Sequence, residues 1–132
     1  MLKTALGVVI GAVAWFAAVF VISAVIAKAD PALAQALKAH ATMAALWERL
    51  AISFVATIFA GAVAGLIARD GMRAPLILGV LLLAVFVPYH LFGRDPGGVI
   101  WTSFPLWYHL TFFVSLFVLT LMGGRLTGSR SG

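Results

Sequence analysis

The stretch "ALGVVIGAVAWFAAVFVISAVI", residues 5–26, carries no charged side chain from end to end. A helix that crosses the hydrocarbon of a bilayer needs about 20 apolar residues, with about 17–25 acceptable. The apolar core of a secretory signal is shorter, at about 7–15 residues. Lys3 ahead of the run and "AKA" at residues 27–29 resemble the flanks of such a signal. The run is too long for one, however, and holds Trp15 and Phe16 at mid-span. It is expected to remain in the membrane as a first helix.

Three further runs repeat the pattern, at residues 50–68, 75–92 and 105–123, again without Asp, Glu, Lys or Arg. Any one of them could be the buried core helix of a soluble protein. Four in a chain of 132 residues argue for lipid instead. Composition agrees: 64% of residues are hydrophobic and 10% charged, where a soluble domain carries about 25% charged residues. The chain therefore reads as all-α, a four-helix transmembrane bundle forming a single integral membrane domain over residues 1–132.

The formal net charge is +5. The basic residues stand singly at the ends of apolar runs, so nucleic acid is not an expected partner. Phosphate headgroups are, and the lipid bilayer is the partner read from composition. The chain has no cysteine, which excludes disulfides, thiolate metal sites and cysteine nucleophiles.

The connections differ in kind. In the long first one, Asp30-Pro31 is a helix-start signal, an N-cap acceptor followed by a ring set for the first turn. The following "ALAQALKAHATMAALWERL" is rich in helix formers. Leu33, Leu37, His40, Ala44 and Trp47 share one face of it and Gln35, Lys38, Thr42 and Arg49 another. An amphipathic surface helix between spans 1 and 2 is expected. "RDGMRA" at residues 69–74 is a tight charged turn, and Asp95-Pro96-Gly97-Gly98 is strong turn chemistry. The tail after Gly124 is polar and expected to fray.

Four spans put both termini on one side of the membrane. That side holds Lys3, Arg69, Arg73, Arg125 and Arg130, against Lys28, Lys38, Arg49 and Arg94 on the other. The excess of basic residues favours cytoplasmic termini.

All three histidines, His40, His90 and His109, then fall near the outer surface. Two readings compete for His90 and His109. They could ligate a metal or haem or relay a proton, imidazole being the commonest metal ligand and the side chain that titrates near neutral pH. Alternatively they belong to an interfacial belt with Trp47, Tyr89, Trp101, Trp107 and Tyr108, since aromatic side chains gather at headgroup depth. The belt reading is preferred, because no third ligand accompanies them, and no cofactor is expected. No nucleophile–base arrangement or phosphate loop is present. No span holds a charge of the kind that coupled transporters need.

Small residues offer a packing signal. Gly7 and Gly11, and again Gly61 and Gly65, have the GxxxG spacing that lets helices approach closely. If spans 1 and 2 are antiparallel neighbours, both pairs lie at one depth, and the expectation is that they meet each other.

The last span, "FPLWYHLTFFVSLFVLTLMGGRL" at residues 104–126, resembles the last helix of a family of small four-span proteins of the bacterial inner membrane. Those share a Pro-Leu-Trp-Tyr-His entry and a Gly-Gly-Arg-Leu exit. The resemblance covers that last fifth of the chain and implies the architecture and location, with Trp107, Tyr108 and His109 part of a recurring motif. It brings no activity with it. The expected function is non-enzymatic, an accessory or scaffolding subunit in a homo-oligomer or larger membrane complex. The alternatives are a small transporter or channel acting as a homodimer, and a haem- or quinone-binding anchor using His90 and His109.

Overall fold

The computed structural model describes residues 1–39, 42–95 and 98–128. His40, Pro96, Gly97 and Arg130 lie outside the described residues. In chain order the elements are α1 (Leu2–Ala29), α2 (Pro31–Ala39), α3 (Met43–Ala68), α4 (Arg73–Phe92), β1 (Arg94–Asp95), β2 (Gly98–Val99), α5 (Ile100–Ser103) and α6 (Leu106–Gly128). The two short strands form one antiparallel ribbon, with Arg94 opposite Val99 and Asp95 opposite Gly98. Helices α1, α3, α4 and α6 are each long and apolar enough to cross a membrane. The fold is all-α, and the chain has the make-up of a multi-pass membrane protein.

Local chemistry sets the helix starts. Asp30 Oδ1 accepts the Leu33 N–H at 3.0 Å, which opens α2 as Asp30-Pro31 implies. Thr42 Oγ1 accepts the Ala45 N–H at 3.1 Å, so α3 begins at Met43 rather than at residue 50. The run "MAALWER" is good helix sequence and joins the span without a break. At the far end of α3, Arg69 takes the left-handed conformation with φ 50° and Gly71 follows at φ 74°. Asp70 ties this turn to two helices, accepting the Ala74 N–H at 3.2 Å and the Thr4 hydroxyl at 2.5 Å.

Helix α3 is the centre of the bundle. It packs most extensively against α6 and α1 and is the most enclosed of the four long helices, while α1 is the least. Two ridges of small residues explain this. Ala60, Ala64 and Ala68 face α1: a Cβ on Gly7 would stand 2.8 Å from the Ala64 carbonyl oxygen, and one on Gly11 3.1 Å from that of Ala60. The neighbouring ridge, Gly61 and Gly65, faces α6 instead. A Cβ on Gly61 would collide with the backbone of Thr120, and one on Gly123 with the carbonyl of Ile58.

This corrects the expected pairing of the two GxxxG motifs. Gly7 and Gly11 do meet α3, but on its alanines. Gly61 and Gly65 meet Thr120, Gly124 and Thr127 of α6, which runs parallel to α3. One residue along a helix turns the side chain by about 100°. Ala60 and Gly61 therefore serve different neighbours. The tail also departs from expectation. Thr127 Oγ1 donates to the Ala62 carbonyl at 2.7 Å, and α6 stays helical to Gly128.

Candidate functional site

The opposite end of the bundle is built from rings. His90, in the last turn of α4, and His109, in the first turns of α6, are both buried, with 6% and 0% of their surfaces exposed. Their Nδ1 atoms are 2.8 Å apart. His109 Nε2 lies 3.1 Å from the Trp101 carbonyl oxygen on α5. A carbonyl only accepts, so Nε2 carries the proton of a neutral His109 and its Nδ1 is the acceptor. His90 Nδ1 must then be the donor between the rings, and His90 Nε2 is left as an acceptor. This tautomer assignment follows from the partners. Aromatic faces hold the pair: the Trp101 ring stacks on His109 at 4.5 Å and the Phe112 ring on His90 at 4.7 Å.

The belt reading of these histidines is thus corrected. They are buried and bonded to each other, clamping α4 to α6. Tyr108 is corrected likewise, being only 5% exposed. Trp47 and Tyr89 are exposed and Trp101 and Trp107 half-buried, with the Trp47 and Trp107 rings 5.3 Å apart. As to ligation, 2.8 Å is a hydrogen-bond separation. Two nitrogens on one tetrahedral metal, bonded at about 2.0–2.1 Å, would stand about 3.3–3.4 Å apart. The rings would have to part to share an ion. Among the described residues, no group of three His, Cys, Asp or Glu could hold a metal.

Beside the histidines lies a cavity of about 370 Å³. Its cause is visible along α1. The buried residues of this helix, Gly7, Val8, Gly11 and Trp15, all lie in its first half. Beyond Trp15 the face that continues them, Val19, Ser23 and Ala27, lines the cavity instead of the core. Trp15 is the wedge. Its Nε1–H donates to Thr57 Oγ1 at 3.0 Å, and the Thr57 hydroxyl donates to the Ser53 carbonyl at 2.6 Å. A large indole there keeps α1 from closing on α4. Helix α2 lies over the outer end, supplying Leu37 and Lys38 to the wall.

The cavity wall is graded. Trp15, Phe86 and Phe112 form an aromatic floor, with Phe86 4.8 Å from Trp15 and 5.4 Å from Phe112 between ring centroids. Lys38, Arg49, Tyr89, His90 and Tyr108 stand nearer α2. Arg49 is fixed in place: Nη1 donates to the Leu37 carbonyl at 2.9 Å, and its guanidinium carbon sits 5.3 Å over the centre of the Phe104 ring. Ser53 lies one turn below Arg49 on α3, also in the wall. Only 4% of Ser53 is exposed, and its hydroxyl is the one fully buried side-chain polar atom without a partner among the described residues.

Sequence reasoning named His90 and Tyr108 for other roles and missed Trp15, Arg49 and Ser53 as site residues. The available signal was Trp15. An indole N–H at mid-span must find an acceptor, and Thr57 is a polar residue of the adjacent span. No protein-family model, no curated protein and no solved structure matches the chain.

Proposed function

We propose that the chain is a non-enzymatic multi-pass protein of the bacterial inner membrane, with both termini cytoplasmic. In this reading it serves a larger membrane assembly as an accessory subunit, and its contribution is to hold a ligand in the cavity between α1, α3, α4 and α6. The observation that carries the reading is the cavity wall at Ser53, where a buried hydroxyl faces no partner of its own. A group of that kind costs about 1–3 kcal/mol when left unsatisfied, and a bound ligand recovers it once the Ser53 side chain turns toward the cavity. The non-enzymatic part is supported by how the other polar groups are engaged. His90 is bonded to His109, and Thr57 to Trp15 and the Ser53 carbonyl. The site offers binding contacts rather than a nucleophile beside its base.

Affinity purification in mild detergent tests the reading, with mass spectrometry of both the proteins and the small molecules that come with the chain. A cavity-filling variant, Ser53→Leu, is purified in parallel. A ligand or partner present with the native chain and lost from Ser53→Leu supports the reading. An identical set from both sinks it. A C-terminal reporter active in the cytoplasm is expected, and one active only in the periplasm contradicts the orientation.

A further inference from the structure

We infer that the cavity binds a single-chain anionic amphiphile, its headgroup between Lys38 and Arg49 and its chain running down to Trp15. This rests on reading the cavity as a ligand site and assigns the chemical class of what enters it.

Among the described residues, the wall holds two cationic side chains and no carboxylate. The neighbouring Glu48 is exposed and is not part of the wall. Charges at the edge of a low-dielectric cavity act more strongly than in water, and they select for the opposite sign. Arg49 is held by the Leu37 carbonyl and the Phe104 ring, so its charge is already in position before a ligand arrives. The Ser53 hydroxyl, one turn deeper, has no partner among the described residues and becomes a neutral donor to the headgroup once its side chain turns toward the cavity.

Below that level the wall turns apolar. Ile52, Phe86, Phe112 and Trp15 offer nothing to a charged group, but they suit a hydrocarbon chain. Depth and volume fit one chain. From Ala27 to Trp15 the cavity follows α1 for twelve residues, about 18 Å at about 1.5 Å per residue. Half of a hydrocarbon core of about 30 Å is about 15 Å, the reach of one leaflet's acyl chain. The 370 Å³ volume lies near the lower end of the range for ligand pockets, about 300–1,000 Å³. The exposed residues of the wall, Ser23, Ala27, Lys38 and Tyr89, mark the mouth at the level of α2. A ligand would thus arrive from the headgroup region, tail first.

The test is native mass spectrometry of the full chain released from a neutral detergent and titrated with four probes. Oleate offers a carboxylate on a chain, and 1-oleoyl lysophosphatidate a phosphate on a chain. Oleyl alcohol offers the chain without charge, and inorganic phosphate the charge without a chain. One saturable adduct per protein is expected for the two charged chains, with oleyl alcohol weaker by about a hundredfold, in keeping with two charge-assisted contacts at about tenfold each. Whichever charged chain binds tighter names the source, a free fatty acid or a lipid phosphate. Lys38→Gln and Arg49→Gln are each expected to weaken the charged probes about tenfold and to leave oleyl alcohol unchanged. Lys38 is exposed, so its substitution puts folding at little risk and keeps the test valid if Arg49→Gln fails to fold. Oleyl alcohol binding as tightly as oleate overturns the assignment but leaves the cavity a ligand site. So does oleate binding that Lys38→Gln does not change, and so does inorganic phosphate binding as tightly as the charged chains. If no chain-bearing probe forms a saturable adduct, the ligand-site reading fails with it.

Discussion

At the end of the bundle that holds Gly7, Gly61 and Gly124, backbone meets backbone. At the end that holds His90 and His109, rings meet rings and a cavity remains. In lipid there is little hydrophobic drive between helices, so association depends on how closely they can pack. Where α3 presents Ala60, Gly61, Ala64 and Gly65 on adjacent faces, two neighbours approach its backbone at once. Higher up, Trp15, Phe86 and Phe112 hold the helices apart. One short bundle thus has a closed end and an end that holds a cavity.

The largest expected effect breaks the closed end. Leu at Gly61 or Gly123 would meet the backbone of the opposing helix, which cannot step aside as a flexible side chain can. Overpacking typically costs about 1–3 kcal/mol, and here the upper end or more is expected. Steric trapping in bicelles gives the number. A loss no greater than that of lipid-facing Val13→Leu would mean that the α3–α6 seam does not hold the bundle.

The next largest lies at the ring end. His109→Phe leaves the Trp101 carbonyl and the His90 Nδ1–H without partners. At about 1–3 kcal/mol for each buried unsatisfied group, a loss of about 2–6 kcal/mol is expected. His90→Phe should cost less, since it strands only the His109 Nδ1 acceptor. Because the two rings contact each other, the double variant should fall short of the sum by about 0.5–3 kcal/mol. Strict additivity would mean that the bond between the two Nδ1 atoms contributes nothing to stability.

Two smaller effects sharpen the contrast. Gly11→Ala meets the flexible Leu78 Cδ2 at 2.7 Å and the Ala60 carbonyl at 3.1 Å. A cost of about 1–2 kcal/mol is expected, below that at Gly61. Ser53→Ala should be neutral or stabilising by up to about 1 kcal/mol, since it removes a hydroxyl that has no partner. Denaturation in detergent ranks both against the native chain. A destabilisation at Ser53 matching that at Gly11 would show that its hydroxyl is bonded within the protein.

How much of this was legible in the sequence depends on which physical quantity it encodes. Length and hydropathy do not depend on rotation about a helix axis, and the four spans followed from them. Caps are local, so Asp30-Pro31 correctly opened α2. Partner choice is not local. "GAVAG" announces that span 2 packs closely, yet one residue step separates the α1-facing ridge from the α6-facing one, and nothing in the motif says which neighbour each meets. The histidines failed for the same reason. Tyr89-His90 and Tyr108-His109 look alike in sequence, but rotation buries both imidazoles and Tyr108 while leaving Tyr89 exposed. The cavity lies beside the stretch of α1 after Trp15, where that helix has no further buried residue, a tertiary feature that no local pattern encodes.

The absence of cysteine from the chain makes the contrast between the two ends directly measurable. Val8 and Val19 lie on α1, the first buried in the closed end and the second in the cavity wall. Val8→Cys and Val19→Cys are reconstituted in neutral-lipid nanodiscs and exposed to methyl methanethiosulfonate, with and without oleate. An end that is closed and an end that is open predict modification of Val19→Cys, protection of it by oleate, and no reaction at Val8→Cys. Equal reactivity at the two positions, or none at Val19→Cys, would contradict the account.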